Sequence, residues 1–209
     1  MSNVIYVVDY DCIQRDCVIK MLSSLNVKVI GYKSASIFLS ESISDCPSCL
    51  ILEMNMPSID GFQVIDNLKE RGCTIPILVL TVVDSIPVCV RAMRAGVRDF
   101  LTKPVQQKQL LDSVKVILGE ETERHQERKE YFELCEKYKA LTFREKEIFE
   151  MVINGLQNKQ IAFALGISEI TVKVHRRRVM DKMKVSTLAD LVHCAGRLQV
   201  GKSKCVNLY

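Results

Sequence analysis

The sequence predicts an α/β domain, a doubly wound five-stranded parallel sheet, followed by a linker helix and an all-α helix-turn-helix domain. Three observations predict it. Over residues 1–118 short apolar runs alternate with longer helical patterns; residues 119–139 are charge-rich and proline-free; residues 140–209 read as closely spaced helices around a glycine corner. At 209 residues the chain is long for one small domain and comfortable for two.

Each element of residues 1–118 has its own reason. Val4–Val8, Val27–Tyr32, Cys49–Leu52, Ile75–Leu80 and Asp99–Leu101 are short runs rich in Val, Ile and Leu. Such near-continuous apolar runs mark parallel strands whose two faces are both covered by helices. Between them Cys12–Leu25, Ala35–Ser42, Phe62–Arg71, Ile86–Ala95 and Gln106–Leu118 read as those helices. Asp84 is expected to cap the helix starting near Ser85, and Gly96 to end it with a positive φ. In a doubly wound sheet the working crevice lies beyond the carboxyl ends of the strands. Reading off those ends brings Asp9, Tyr10, Asp11, Glu53, Thr81 and Lys103 to one place.

Residues 119–139 favour a helix through Glu120/Arg124, Arg124/Glu127 and Glu133/Lys137. This linker helix either continues the preceding one or breaks from it, and Gly119 is the expected place for a break. Tyr131, Leu134, Cys135 and Tyr138 form an apolar stripe at helical spacing. A solvated single helix and a dimerising coiled coil both accommodate that stripe, and its shortness favours the first.

From Leu141 the pattern is helical throughout. Thr142-Phe143-Arg144-Glu145 is a capping box, in which the threonine and glutamate side chains satisfy the first free amides. Ile148, Phe149, Val152 and Ile153 form its buried face, and Gly155 ends it. Asn158–Leu165 is the next helix; Gly166 allows a tight turn, Ser168 caps, and residues 169 to about 183 form the third helix. A helix, a glycine-containing turn and a second helix make the helix-turn-helix unit. On the third helix Ile170, Val174, Val179 and Met183 are expected to face inward. Lys173, His175, Arg176, Arg177 and Arg178 then lie on or beside the other face, and Arg176 is expected among the DNA-binding residues.

Charge supports that reading. Residues 1–118 carry 12 basic and 12 acidic side chains, residues 119–139 carry 5 and 7, and residues 140–209 carry 12 and 6. The positive excess is therefore confined to the last segment, where a polyanion should bind. Double-stranded DNA is the expected partner, because the first residues of a recognition helix reach base edges while flanking basic groups meet phosphates. A basic run that is only a solvated helix face is the bland alternative. Loss of Arg177 is expected to harm binding more than loss of Lys202.

Nine scattered cysteines, with Cys46 and Cys49 the one close pair, do not resemble a disulfide framework. Most are expected to pack as small apolar side chains. No apolar run approaches the roughly 18 residues needed to span a bilayer. The Met1-Ser2-Asn3 start lacks the basic flank of a secretory signal. A cytoplasmic protein without a membrane partner is expected.

Leu141-Thr142-x-Arg144-Glu145, Asn158-Lys159-x-Ile161-Ala162, Leu165-Gly166-Ile167-Ser168 and Thr171-Val172-Lys173-Val174-His175 together resemble the LuxR-type helix-turn-helix signature. The likeness covers roughly residues 138–200. It implies that Lys173, Val174, His175 and Arg177 occupy recognition positions facing the major groove, with Lys159 near the DNA backbone. It also implies dimer contacts through the final helix, Ser186 to about Arg197, and hence a homodimer on DNA.

Val7-Val8-Asp9, Met56-Pro57-Ser58-Ile59-Asp60-Gly61, Thr81, Ala92-Met93-Arg94-Ala95-Gly96 and Asp99-Phe100-Leu101-Thr102-Lys103-Pro104 resemble a response-regulator receiver. The tandem resembles the FixJ/NarL class of two-component regulators, which implies a sensor kinase as a further partner. The resemblance implies a phosphoryl-accepting aspartate beside Mg²⁺, a threonine and a lysine that contact the phosphate, Phe100 at an aromatic switch position, and a cis Lys103-Pro104 bond. Two departures fall on the chemistry. Glu53 stands at the acceptor position and Tyr10 at a metal-ligand position. Asp9 and Glu53 are then remnants of a metal site, and Asp11 is one position too late to replace the lost carboxylate. Mg²⁺ needs several oxygens in near-octahedral geometry, and phosphoryl transfer tolerates little displacement. The expectation is a receiver without bound cofactor or metal that is not phosphorylated in the usual way. Glu53 then either reaches Lys103 and Thr81 and partly mimics phosphorylation, or is a silent structural pair of Lys103.

The leading expectation is a DNA-binding transcription regulator with a degenerate receiver. The alternatives are a conventional phosphorelay regulator and a redox-sensing regulator using cysteines. An enzyme of flavodoxin-like fold is disfavoured, because Asp9-Tyr10-Asp11-Cys12 stands where a glycine-rich phosphate loop would follow the first strand.

Overall fold

A computed structural model describes residues 3–200; Lys202 and Cys205 lie outside the described residues. The chain divides into two compact units, Met1–His125 and Gln126–Tyr209.

The first unit holds five parallel strands, β1 (Val4–Val8), β2 (Lys28–Tyr32), β3 (Ser48–Leu52), β4 (Ile77–Thr81) and β5 (Asp99–Thr102). They lie in the order β2-β1-β3-β4-β5, with β1 aligned in parallel register on both β2 and β3. Alternate residues feed two cores. Val4, Tyr6 and Val8 face one side with Phe38, Leu52 and Phe62, while Ile5 and Val7 face the other with Val18, Leu80 and Leu110. Two covered faces explain why β1, β3 and β4 are buried along their whole length, whereas the edge strands β2 and β5 are not.

The covering helices are α1 (Cys12–Leu22), α2 (Ala35–Ser40), α3 (Gly61–Glu70), α4 (Ile86–Arg94) and α5 (Gln107–Lys139). Ser34 caps α2, and at α3 Asp60 and Gln63 cap each other reciprocally. Gly61 has a steric reason to be glycine: a Cβ there would lie 2.8 Å from Cα of Met54. The expected Asp84 cap is not made. Ser85 holds the N-cap position of α4 without a side-chain capping bond, and Pro87 in the first turn removes one of the amides such a cap could accept from. Gly96 does follow the helix with φ +87°.

Of the two alternatives for the linker helix the continuous one holds: no break falls at Gly119, and α5 runs through it. A glycine inside a helix costs about 1 kcal/mol against alanine. Around it Leu118 and Glu121 are buried, and Arg124 pairs with Glu120 at 3.6 Å and Glu121 at 3.7 Å. Arg98 on the first unit also holds Glu120.

In the second unit α6 (Phe143–Ile153), α7 (Asn158–Leu165), α8 (Glu169–Met183) and α9 (Leu188–Leu198) surround one core with the end of α5. Of the apolar stripe of the linker helix, Leu134 and Tyr138 join that core, whereas Tyr131 is 46% exposed. Leu134 is buried, and the Tyr138 ring meets Phe149 edge-on at 5.4 Å. Thr142 and Glu145 form the predicted capping box. Gly166 ends α7 in the left-handed region at φ +64°, and the Ser168 side chain caps α8. The inward face of α8 differs from expectation. Val172, Val179 and Met183 are buried, whereas Ile170 is 74% and Val174 45% exposed. Val172 lies seven residues before Val179, two full turns, and so shares its face.

Candidate functional site

The first site is the crevice at the carboxyl ends of β1, β3, β4 and β5. Each strand delivers one group: Asp9 after β1, Glu53 after β3, Thr81 ending β4 and Lys103 after β5. Asp9, Glu53 and Thr81 are buried. Nζ of Lys103 lies 2.6 Å from Oδ2 of Asp9 and 2.7 Å from Oε2 of Glu53. Oε1 of Glu53 accepts the Thr81 hydroxyl in a short hydrogen bond and the Asn55 amide at 3.0 Å. Oδ1 of Asp9 accepts the Asp11 amide at 3.0 Å. Burial pulls the Lys103 pKa down, but its hydrogen bonds to Asp9 and Glu53 outweigh it and hold the ammonium above its usual 10.5.

The remaining crevice residues are engaged elsewhere. The Asp11 carboxylate caps α1, accepting the amides of Ile13 at 2.9 Å and Gln14 at 3.2 Å. Tyr10 is half exposed. Phe100 is partly buried against the core that contains Phe62. The Lys103-Pro104 bond is cis. Two contributors escaped sequence reasoning. Arg15 donates from Nη1 to the Asp9 carbonyl at 2.9 Å, and the Asn55 amide holds Glu53. Arg15 follows Asp11 by one helical turn, a spacing that places it beside the strand end once α1 is known.

A receiver of the ordinary kind would hold Mg²⁺ here. The donor set does not fit that ion. Both oxygens of Asp9 and both of Glu53 already accept hydrogen bonds, and Asp11 is committed to its helix. Among the described residues no group of three or more His, Cys, Asp or Glu side chains is placed to hold a metal. An octahedral ion needs oxygens that are free to turn to it.

The close cysteine pair has little of the character of a redox site. Cys49 is fully buried in β3, and burial pushes its thiol up to about 12; Cys46 is half buried and also raised by burial. A thiol held protonated is a poor nucleophile.

The second site is α8. Lys173, Val174, Arg177 and Arg178 are exposed, as is Lys159 at the start of α7. Ile170, Lys173, Val174 and Arg177 recur at helical spacing and form one outward face. His175 and Arg176 are only half exposed. Nδ1 of His175 is buried without a hydrogen-bond partner among the described residues. Nη1 of Arg176 donates to Oδ1 of Asn158 at 2.7 Å, a partner that sequence reasoning missed.

A parallel five-stranded receiver fold joined to a basic helix-turn-helix unit defines a class of protein. The chain belongs to the response regulators, and it is a DNA-binding transcription regulator of that family. Residues 5–115 match the response regulator receiver domain, and residues 139–195 match the bacterial regulatory proteins of the luxR family. The chain is 38% identical to response regulator protein TodT of Pseudomonas putida, over 95% of this chain and 87% of that one. It is 34% identical to the transcriptional regulatory protein FixJ of Azorhizobium caulinodans, over 91% and 90%. Among solved structures it is similar to response regulator StyR, with a TM-score of 0.88, 38% identity, and 94% of this chain and all of that one covered. Full-length FixJ from B. japonicum is 30% identical with a TM-score of 0.55, covering 94% and 97%. Among the described residues no helix is long and apolar enough to cross a membrane.

Proposed function

We propose that this chain is a sequence-specific regulator that binds duplex DNA as a homodimer in the cytoplasm, and that its receiver works without being phosphorylated in the usual way. It acts by binding and not by catalysis. One observation carries the reading of the receiver: the Glu53 carboxylate already holds both Thr81 and Lys103. In the family these two side chains contact an incoming phosphoryl group, so Glu53 makes part of that set of contacts permanently. The engaged oxygens of Asp9 and Glu53 support the same reading, since the phosphoryl route needs a divalent ion to bridge and neutralise charge. Lys173, Val174, His175 and Arg177, with Lys159 beside them, are the residues assigned to DNA. A sensor kinase or another protein then acts on this receiver through contact and not through transfer.

Two measurements test the proposal. Acetyl phosphate with Mg²⁺, or beryllofluoride with Mg²⁺, should leave the intact mass and the hydrodynamic size of the full chain unchanged; uptake of a phosphoryl group on Glu53 would refute it. A gel-shift series with genomic fragments at two salt concentrations should show binding that weakens steeply with salt. Affinity and dimerisation of Glu53→Asp, Glu53→Ala and Lys103→Ala decide whether Glu53 signals. Unchanged values in all three would leave it a structural pair of Lys103.

A further inference from the structure

Arg176 and Arg177 are neighbours in sequence, yet they point in directions roughly 100° apart around α8. Arg177 follows exposed Lys173 by one turn and shares its outward face. Arg176 sits one turn after buried Val172 and three residues before buried Val179, on the shoulder of the inward face. Its side chain lines a small space with Ile148, Val152, Val179, Met180 and Leu191, so the methylene stem lies over the core. Its guanidinium ends on Oδ1 of Asn158, the first residue of α7, at 2.7 Å, in a partly buried hydrogen bond between residues 18 apart. Asn158 is itself half buried, whereas the next residue, Lys159, is exposed.

We propose that Arg176 is a positioning residue and not a DNA contact: with Asn158 it latches α8 to the start of α7 and thereby sets the outward face that carries Lys173 and Arg177. The proposal rests on the DNA-binding reading above. A charged donor in a partly buried hydrogen bond is among the stronger polar contacts, and the guanidinium must break it and leave the core surface to reach a phosphate. The two helices it joins are those whose mutual angle decides which groups enter a groove. Loosening the latch tilts all contacts of α8 together and removes none of them. Affinity therefore falls without loss of a phosphate contact, and the salt dependence, which counts phosphate contacts, keeps its slope.

The test uses the full chain and a 40-base-pair duplex selected on it from a random library. Affinity is measured from about 50 to 300 mM salt for Asn158→Ala, Arg176→Met, the double variant, Arg176→Lys, Lys173→Ala and Arg177→Ala, each checked for folding by circular dichroism. Asn158→Ala and Arg176→Met should each weaken binding about three- to tenfold with an unchanged slope of log affinity against log salt. The double variant should be no weaker than the weaker single one, because both break one interaction. Arg176→Lys, which keeps a donor for Asn158, should recover most of the affinity. Lys173→Ala and Arg177→Ala should each reduce the slope by about one. An Arg176→Met slope reduced like that of Arg177→Ala overturns the latch, as does an Asn158→Ala chain that binds like the wild type. Should Arg176→Met not fold, Asn158→Ala and Arg176→Lys decide by the same slope criterion. A wild type that retains no duplex sinks the DNA-binding reading itself, a result distinct from a wild type that binds while the two variants behave as direct contacts.

Discussion

Lys103 and Glu53 form an ion pair at 2.7 Å with side chains only 10% and 2% exposed, and the same ammonium holds Asp9 at 2.6 Å. One cation thus bridges two buried carboxylates. Lys103→Met leaves both without their shared partner, and breaking a buried pair in this way costs about 3–5 kcal/mol. Urea unfolding of the first unit should show the loss. The folded Lys103 pKa is raised above the unfolded value, so this stabilisation is complete below about 10.5 and fades as the pH rises through the folded pKa. A loss of stability between pH 8 and 12 that is larger in the wild type than in Lys103→Met is the expected outcome.

Glu145 carries the opposite dependence. It is buried, its carboxylate accepts from Nζ of Lys182 at 2.6 Å, and it caps α6 through the Thr142 amide at 2.8 Å. Burial raises its pKa, but these hydrogen bonds outweigh burial and hold it below the usual 4.5. A lowered pKa means stabilisation that is present above about 4.5 and is lost as the pH falls through the folded value. The urea midpoints of wild type and Glu145→Gln should differ at pH 6 and converge near pH 3.

Two glycines should respond differently to alanine. Gly166 has φ +64° but no atom within 4 Å of where a Cβ would lie, so Gly166→Ala pays only backbone strain, about 1–2 kcal/mol. Gly61→Ala would drive its Cβ against the Met54 backbone beside Glu53. A shift of the 53–61 loop follows, with a loss of about 1–3 kcal/mol. Denaturation of the two variants separates the effects, because Gly166→Ala moves only the transition of the second unit.

Restoring carboxylate chemistry should restore phosphoryl uptake. In Tyr10→Asp/Glu53→Asp the shortened acceptor withdraws from Thr81 and a new carboxylate stands beside Asp9. Intact mass after acetyl phosphate with Mg²⁺ should then show one added phosphoryl group, absent from the wild type. A double variant that folds and stays unmodified counts against these two positions as the reason for the proposed lack of phosphoryl uptake.

Much of the fold was legible because its signals are local. Val4–Val8, Asn158–Leu165 and the Thr142/Glu145 box rest on periodicity and capping chemistry, which a few consecutive residues contain. The misread features depend on surroundings. Gly119 left open whether the linker helix continues the preceding one, and buried neighbours and ion pairs carry α5 through it. Ile170 and Val174 read as core by residue type, but α8 can bury only one stripe, and Val172 takes it. The crevice was legible in its members, since strand ends converge in this topology. Two further donors, the Asn55 amide to Glu53 and the Arg15 guanidinium to the Asp9 carbonyl, carry no motif.

By itself the amino-acid order determined two domains, the run of strands and helices, the residues at the strand ends and the basic third helix of the second domain. Tertiary structure alone decided how those side chains are spent: Asp11 on a helix end, Lys103 between two carboxylates, Arg176 on Asn158. The reason is physical. Secondary structure follows from interactions within a turn or two of chain, whereas the state of a polar group depends on which partners, distant in sequence, arrive within hydrogen-bonding reach when water leaves.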